Sequence, residues 1–152
     1  MFQGLHHNLL DEKGRLAFPA PLRAALQSMD GSEAFILTQS FYEPCLVAMT
    51  EADFRAQAAK SRALPPSNPA VMEYKRVVIA SATLTAIDKA GRVNIPKELR
   101  DYAGLEREAV WAGVIDNMEL WSKSRWDARN AKRLEDRETL EQWRQTLEEH
   151  GL

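Results

Sequence analysis

The segment Asp11-Glu-Lys-Gly-Arg-Leu-Ala-Phe-Pro-Ala-Pro-Leu-Arg23 returns, 77 residues later and without a gap, as Asp88-Lys-Ala-Gly-Arg-Val-Asn-Ile-Pro-Lys-Glu-Leu-Arg100. Both copies read D-x-x-G-R-φ-x-φ-P-x-x-L-R, with φ apolar, and six of the 13 positions are identical. A repeated unit means a fold built twice from one supersecondary element, so whatever one copy forms the other must form too. In each copy D-x-x-G marks a tight turn. Aspartate bonds its own backbone there, and glycine takes the positive φ that other residues avoid. Apolar residues precede the turns at Leu9-Leu10 and at Leu84 and Ile87, and alternation follows at Leu16, Phe18 and at Val93, Ile95. That pattern predicts a β-hairpin with one buried face, turned by Asp11 and Gly14 in one copy and by Asp88 and Gly91 in the other.

Pro19 and Pro96 end the second strand and suit the first turn of a helix, predicted over 19–29 and 96–103, the latter stopped by Gly104. Further apolar stretches at 34–38 with 45–49, and at 109–115 with 118–121, predict two more strand pairs, turning at Glu43-Pro44 and Asp116-Asn117. Four strands and one short helix bury too little surface to stand alone, so the two halves are expected to share a core. Between them, Thr50 with Asp53 reads as a capping box for a helix to Arg62. The proline-rich 64–69 stretch is a linker, and Asn68 caps a helix to about Val78. The segment from Ser122 to about Glu149 reads as one helix of mixed charge, with Trp126, Leu134, Leu140, Trp143 and Leu147 as its apolar contacts.

Charge argues about partners. Residues 1–105 hold 12 Lys/Arg against 11 Asp/Glu (+1) and residues 106–152 hold 8 against 11 (−3), together the net −2. A nucleic-acid partner would therefore have to be held by small basic clusters, multiplied by oligomerisation, because phosphate binding rewards positive surfaces. The one cysteine, Cys45, excludes an intrachain disulfide and points to the cytoplasm. Residues 1–10 lack the pattern of a signal peptide, and no stretch approaches the roughly 20 apolar residues of a membrane helix.

Other residue types suggest no chemistry. Cys45 lies in an apolar strand candidate without a neighbouring base and reads as core. His6-His7 would point to opposite faces of a strand, unlike a metal pair. Ser40 and Ser81 lack a nucleophile setting. Gly14 and Gly91 are single turn glycines, not a phosphate loop. Trp111, Trp121, Trp126 and Trp143 read as core or subunit packing. No catalytic residue, metal or cofactor is expected, and the chain is not expected to be an enzyme.

Met-Phe-x-Gly at the start, the two D-x-x-G-R turns, Phe41-Tyr42-x-x-Cys45-Leu46, and Gly104-Leu105 with Glu119-Leu120-Trp121 together resemble the MraZ family of regulators. The resemblance runs from Met1 to about Trp126 and leaves the tail outside it. It implies an α+β, mainly β fold of two swapped-hairpin, SpoVT/AbrB-like halves interlocked in one chain, over 1–50 and 81–124, with a helical linker at 51–80 and a helical tail at 125–152. It further implies a ring-shaped homo-oligomer, without membrane or small-molecule substrate. This ring would bind direct repeats in double-stranded promoter DNA at the nucleoid and repress a cell-division and cell-wall operon. One departure is Gln3, where the family more often has arginine.

The repeated turn suits that role, because arginine's planar fork takes guanine O6 and N7 together, or a phosphate. Taken alone, the residues leave two readings of Arg15 and Arg92 open: they brace Asp11 and Asp88, or they touch DNA. With the resemblance, DNA contact is expected of them, with Lys13 and Lys89 adding phosphate contacts. Arg23 and Arg100 are expected to pair internally or line an interface, with phosphate contact as the lesser reading. Two other functions remain in view: an AbrB-like antitoxin whose tail neutralises a partner, and a ring-forming assembly protein that acts through protein contacts.

Overall fold

In the computed structural model, which describes residues 1–152, the strands around each repeated turn pair across the repeats and not within them. The first half comprises β1 (Phe2–Leu9), β2 (Arg15–Ala17), α1 (Ala20–Asp30), β3 (Ala34–Gln39) and β4 (Leu46–Met49). The second comprises β5 (Thr83–Ala86), β6 (Arg92–Asn94), α4 (Lys97–Ala103), β7 (Glu108–Ile115) and β8 (Met118–Ser122). The linker holds α2 (Glu51–Arg62) and α3 (Pro69–Tyr74). A six-stranded antiparallel sheet runs β1-β7-β8-β4-β3-β5, and β2 pairs β6 in a separate ribbon. The order is palindromic: β1 matches β5, β7 matches β3 and β8 matches β4. In the ribbon Leu16 faces Val93, its own counterpart at the 77-residue offset, so a local two-fold passes between them.

The expected hairpins are thereby corrected. The turns close as predicted, but Leu10 and Leu16 make one isolated bridge and no ladder follows. A three-residue strand carries one inward side chain and cannot bury it against its own neighbour. By pairing β2 with β6 the chain buries Leu16 and Val93 together, at 0% and 1% exposure. The fold is α+β with interlocked halves, as expected, and the halves share one core. Phe18 and Phe35 of the first half stack at 5.0 Å, and Trp111 of the second meets Phe18 edge-on at 5.3 Å. Each such fully buried side chain contributes roughly 1.5–3 kcal/mol.

Local signals hold closely. Thr50 accepts from the Asp53 amide, Asn68 accepts from the Ala70 amide, and Gly104 ends α4 in the left-handed region. Two differ. The helix that begins at Pro69 leaves α geometry at Lys75 and runs to Ile79 as a wide π turn, where the Val78 carbonyl accepts from the buried Thr38 hydroxyl at 2.5 Å. The tail, Lys123–Leu152, is a separate unit from Met1–Ser122 and is two helices, α5 (Lys123–Glu135) and α6 (Arg137–Glu149). Asp136 divides them because its carboxylate accepts from both the amide and the hydroxyl of Thr139, starting a new helix.

Gly113 of β7 has the tightest backbone approach. A Cβ there would lie 2.3 Å from the Gln3 nitrogen and 2.6 Å from the Gln3 Cα. Since the obstacle is backbone, the β1–β7 pairing must open to admit it. Gly113→Ala is expected to destabilise the protein by about 1–3 kcal/mol, the usual range for overpacking. Urea denaturation should show the lower midpoint, and amide exchange should show protection lost first along β1.

Candidate nucleic-acid interface

Each repeated turn is built by its aspartate. Asp11 Oδ1 accepts from the backbone N–H of Lys13 and of Arg15, both at 2.9 Å, and Gly14 closes the turn with φ 82°. Asp88 Oδ1 accepts from Ala90 at 2.8 Å and Arg92 at 2.9 Å, with Gly91 at φ 75°. The Arg15 backbone N–H is the main cause that holds the Asp11 carboxyl below the usual carboxylate range, and the Arg92 N–H does the same for Asp88. The arginine side chains add to this, and partial desolvation opposes it.

The arginines also lean back on the aspartates. Arg15 Nε meets Asp11 Oδ2 at 2.8 Å, whereas Arg92 Nε stands 3.5 Å from Asp88 Oδ2 and has no hydrogen bond. The bracing contact is therefore present in both copies, tight in one and loose in the other. It leaves the side chains 39% and 40% exposed and engages only the Nε edge of each fork. An exposed pair of this kind is screened by solvent and contributes little. Lys13 and Lys89 are exposed, two residues and one residue beyond their aspartates.

Each loop hangs on the opposite half. The Gly14 carbonyl accepts from Ile95 N–H at 2.8 Å, and the Gly91 carbonyl accepts from Phe18 N–H at 2.9 Å. The residue before each aspartate is pinned likewise: Leu10 N–H donates to the Arg107 carbonyl at 2.7 Å, and Ile87 N–H donates to the Glu33 carbonyl at 2.8 Å. The structure thus places Asp11, Gly14 and Arg15 on a turn at one end of the β2–β6 ribbon and Asp88, Gly91 and Arg92 on a turn at the other. A loop fixed at both ends loses little backbone entropy on binding.

Arg23 and Arg100 were matched by the repeat, but they behave differently. Arg23 pairs with Glu33, which Gln27 also bonds. Arg100 packs under the first loop: a Cβ on Gly14 would lie 3.0 Å from its Nε and 3.1 Å from its Cζ. Its Nε is buried and without an acceptor. The arginine that ends each repeat thus reaches the other half's loop, a relation the linear sequence does not display. Of the remaining residues, Cys45, Trp111 and Trp121 are buried, and Trp143 on α6 is half-exposed with Leu147.

A family model described as "MraZ protein, putative antitoxin-like" matches residues 78–149. It reaches through α6, so the tail, expected to lie outside the resemblance, lies inside the family pattern. A protein named Transcriptional regulator MraZ from Nocardioides sp. is 41% identical over 125 residues, covering 82% of this chain and 83% of its own. Proteins of the same name from Thermomicrobium roseum and Ligilactobacillus salivarius are 38% and 35% identical, each alignment covering 84% of this chain and 86% or 85% of theirs.

The lowered aspartate pKa values give the turns a pH signature. A carboxyl whose pKa is depressed on folding stabilises the fold fully above its unfolded value, and that contribution fades as pH falls through the folded value. Asp11→Ala with Asp88→Ala should therefore lower the denaturation midpoint at neutral pH. The gap from the unsubstituted protein should narrow in acid, below the ordinary carboxylate range. A gap that stays constant down to acid would show that the charge of these carboxylates is not what braces the turns.

Proposed function

The chain belongs to the MraZ family of transcriptional regulators, and from that membership we propose that it binds promoter DNA through the Asp11–Arg15 and Asp88–Arg92 turns. The observation that carries the reading is the pairing of two rigid turns, each offering a half-exposed guanidinium whose Nε edge alone faces an aspartate. The outer edge of each fork remains for guanine O6 and N7 or for phosphate, and a two-stranded ribbon between the turns suits a major groove. Lys13 and Lys89 supply phosphate contacts. Asp11, Gly14, Asp88 and Gly91 set the turns and do not read DNA.

One chain should bind weakly. The first loop, with Asp11, Glu12, Lys13 and Arg15, has no net charge, and the second, with Asp88, Lys89 and Arg92, has +1. We assign the missing affinity to a homo-oligomeric ring, in which later contacts become intramolecular and avidity rises by about 10²–10⁴. Direct repeats spaced about one helical turn, roughly 34 Å, would match such an array. Bound at the promoter of its own cell-division and cell-wall operon in the cytoplasmic nucleoid, the ring would repress transcription. It needs no cofactor and catalyses no reaction.

The antitoxin reading has one supporting observation, the wording of the family model over 78–149. It requires a toxin held by the tail, and a full-length pull-down that returns none, or a partner equally retained after truncation beyond Trp126, would remove it.

Arg15→Ala with Arg92→Ala should leave the circular dichroism spectrum and oligomer mass unchanged and reduce promoter binding at least about thirtyfold, at roughly 1–3 kcal/mol per guanine-reading arginine. Retardation of the same DNA at unchanged affinity would refute the loop assignment. Loss of the oligomer would favour the turns as subunit joints.

A further inference from the structure

We infer that Arg100 is a phosphate-binding residue of the first loop and that Arg23, its counterpart in the repeat, is not, so the two halves meet DNA unequally. The inference rests on the proposed DNA binding. It starts from a change of register that the repeat conceals. The offset between copies is 77 from Leu10 to Ile87, but 74 from Glu33 to Arg107, the two residues whose carbonyls accept from Ile87 and Leu10. The structural counterpart of Glu33 is therefore Arg107. Arg23 has a carboxylate beside it, and the position that supplies that carboxylate is filled by a cation, Arg107, in the half that carries Arg100.

The consequence is visible in the contacts. Arg23 pairs with Glu33, and its Nη1 lies 3.9 Å from where a Gly91 Cβ would be. Arg100 makes no ion pair and no side-chain hydrogen bond, and its Nε is buried. It is nonetheless held in place, with Nε and Cζ at 3.0 and 3.1 Å from the Gly14 Cβ position, directly under the loop. A guanidinium ordered by packing and lacking a carboxylate can meet an anion without first breaking an internal pair. The glycine it packs against, Gly14, is the residue before Arg15. Two further charges, Glu106 and Arg107, line the hollow beside the loop with Asp11 and Glu12, and they cancel each other.

The charge count makes the arrangement intelligible. Adding Arg100 raises the first loop from zero to +1. Adding Arg23 with Glu33 leaves the second at +1. The first loop, diluted by Glu12, thus borrows a cation from the other half, while the second carries its own in Lys89.

The test is the salt dependence of promoter-DNA binding by the full chain. Each phosphate contact contributes about 0.9 to the slope of log K against log salt. Arg100→Gln should lower the slope by about 0.9 per engaged subunit, and Arg100→Lys, which keeps the charge, should restore most of it. Arg23→Gln should leave the slope unchanged. Glu33→Gln, which releases Arg23, should raise it by a similar amount. Thermal melts and oligomer mass accompany each variant, so a folding defect is seen directly. An unchanged slope for Arg100→Gln, an equal loss for Arg23→Gln, or no recovery in Arg100→Lys overturns the inference while the DNA-binding reading stands. Failure of the unsubstituted protein to bind the promoter overturns both.

Discussion

Everything at the candidate interface depends on four backbone hydrogen bonds that cross between the halves. Gly14 and Ile95, Gly91 and Phe18, Leu10 and Arg107, and Ile87 and Glu33 are joined at 2.7–2.9 Å. Each net bond contributes only about 0.5–1.5 kcal/mol. Their weight lies in placement: they hold each turn at both ends with the backbone of the other copy, so neither turn has its native setting unless both halves are folded. The buried faces enforce the same condition. Leu16 needs Val93, and Phe18 and Phe35 need Trp111. A repeat that began as two similar units has become one cooperative unit whose loops form together.

Much of this was legible in the residues, and what was not had a physical reason. Turns and caps are local: an aspartate bonds amides two and four residues on, and Thr50, Asn68 and Gly104 act within one helical turn, so the sequence displays them. Strand partners are not local. Period-two alternation at Leu16 and Phe18 says which face is buried but not against what, and the hairpin inferred from proximity gave way to pairing between copies. The resemblance, not the spacing, pointed to that exchange. Gly113 is silent for the same reason, since its constraint is the Gln3 backbone on a strand more than a hundred residues away. The break at Asp136 was readable in principle, as Asp with Thr139 is a capping pair. It was masked by a charge pattern that runs unbroken from α5 into α6.

The site divides similarly. Asp11, Gly14, Asp88 and Gly91 occupy the turn positions their types demand. Arg15 and Arg92 stand where the repeat places them, yet the repeat hides that one is tightly held and the other loose. It hides more at Arg23 and Arg100, because the helix that follows differs in length. α1 has 11 residues and α4 has 7, so the counterpart of Glu33 cannot be found at the same offset. An alignment at 77 ends at Arg100, short of Glu33 and Arg107, the residues that make the two arginines unlike.

The two readings of the turn arginines, internal bracing and DNA contact, are then not alternatives. An exposed long side chain in water samples many rotamers, and fixing it on a ligand costs about 0.5–1.5 kcal/mol per side chain. Asp11 bears part of that cost in the free protein by holding the Arg15 Nε, Asp88 only loosely restrains Arg92, and Gly14 or Gly91 keeps the backbone in a conformation few other residues would accept. Each arginine side chain stays about two-fifths exposed. On this account Asp11 and Asp88 lower the net charge of the interface but raise the share of arginines that are ready to bind. That exchange is tolerable only where many copies act together, because each loop then has to be well aimed more than it has to be strongly charged. A near-neutral chain with braced turns is what the proposed ring would require of its subunit.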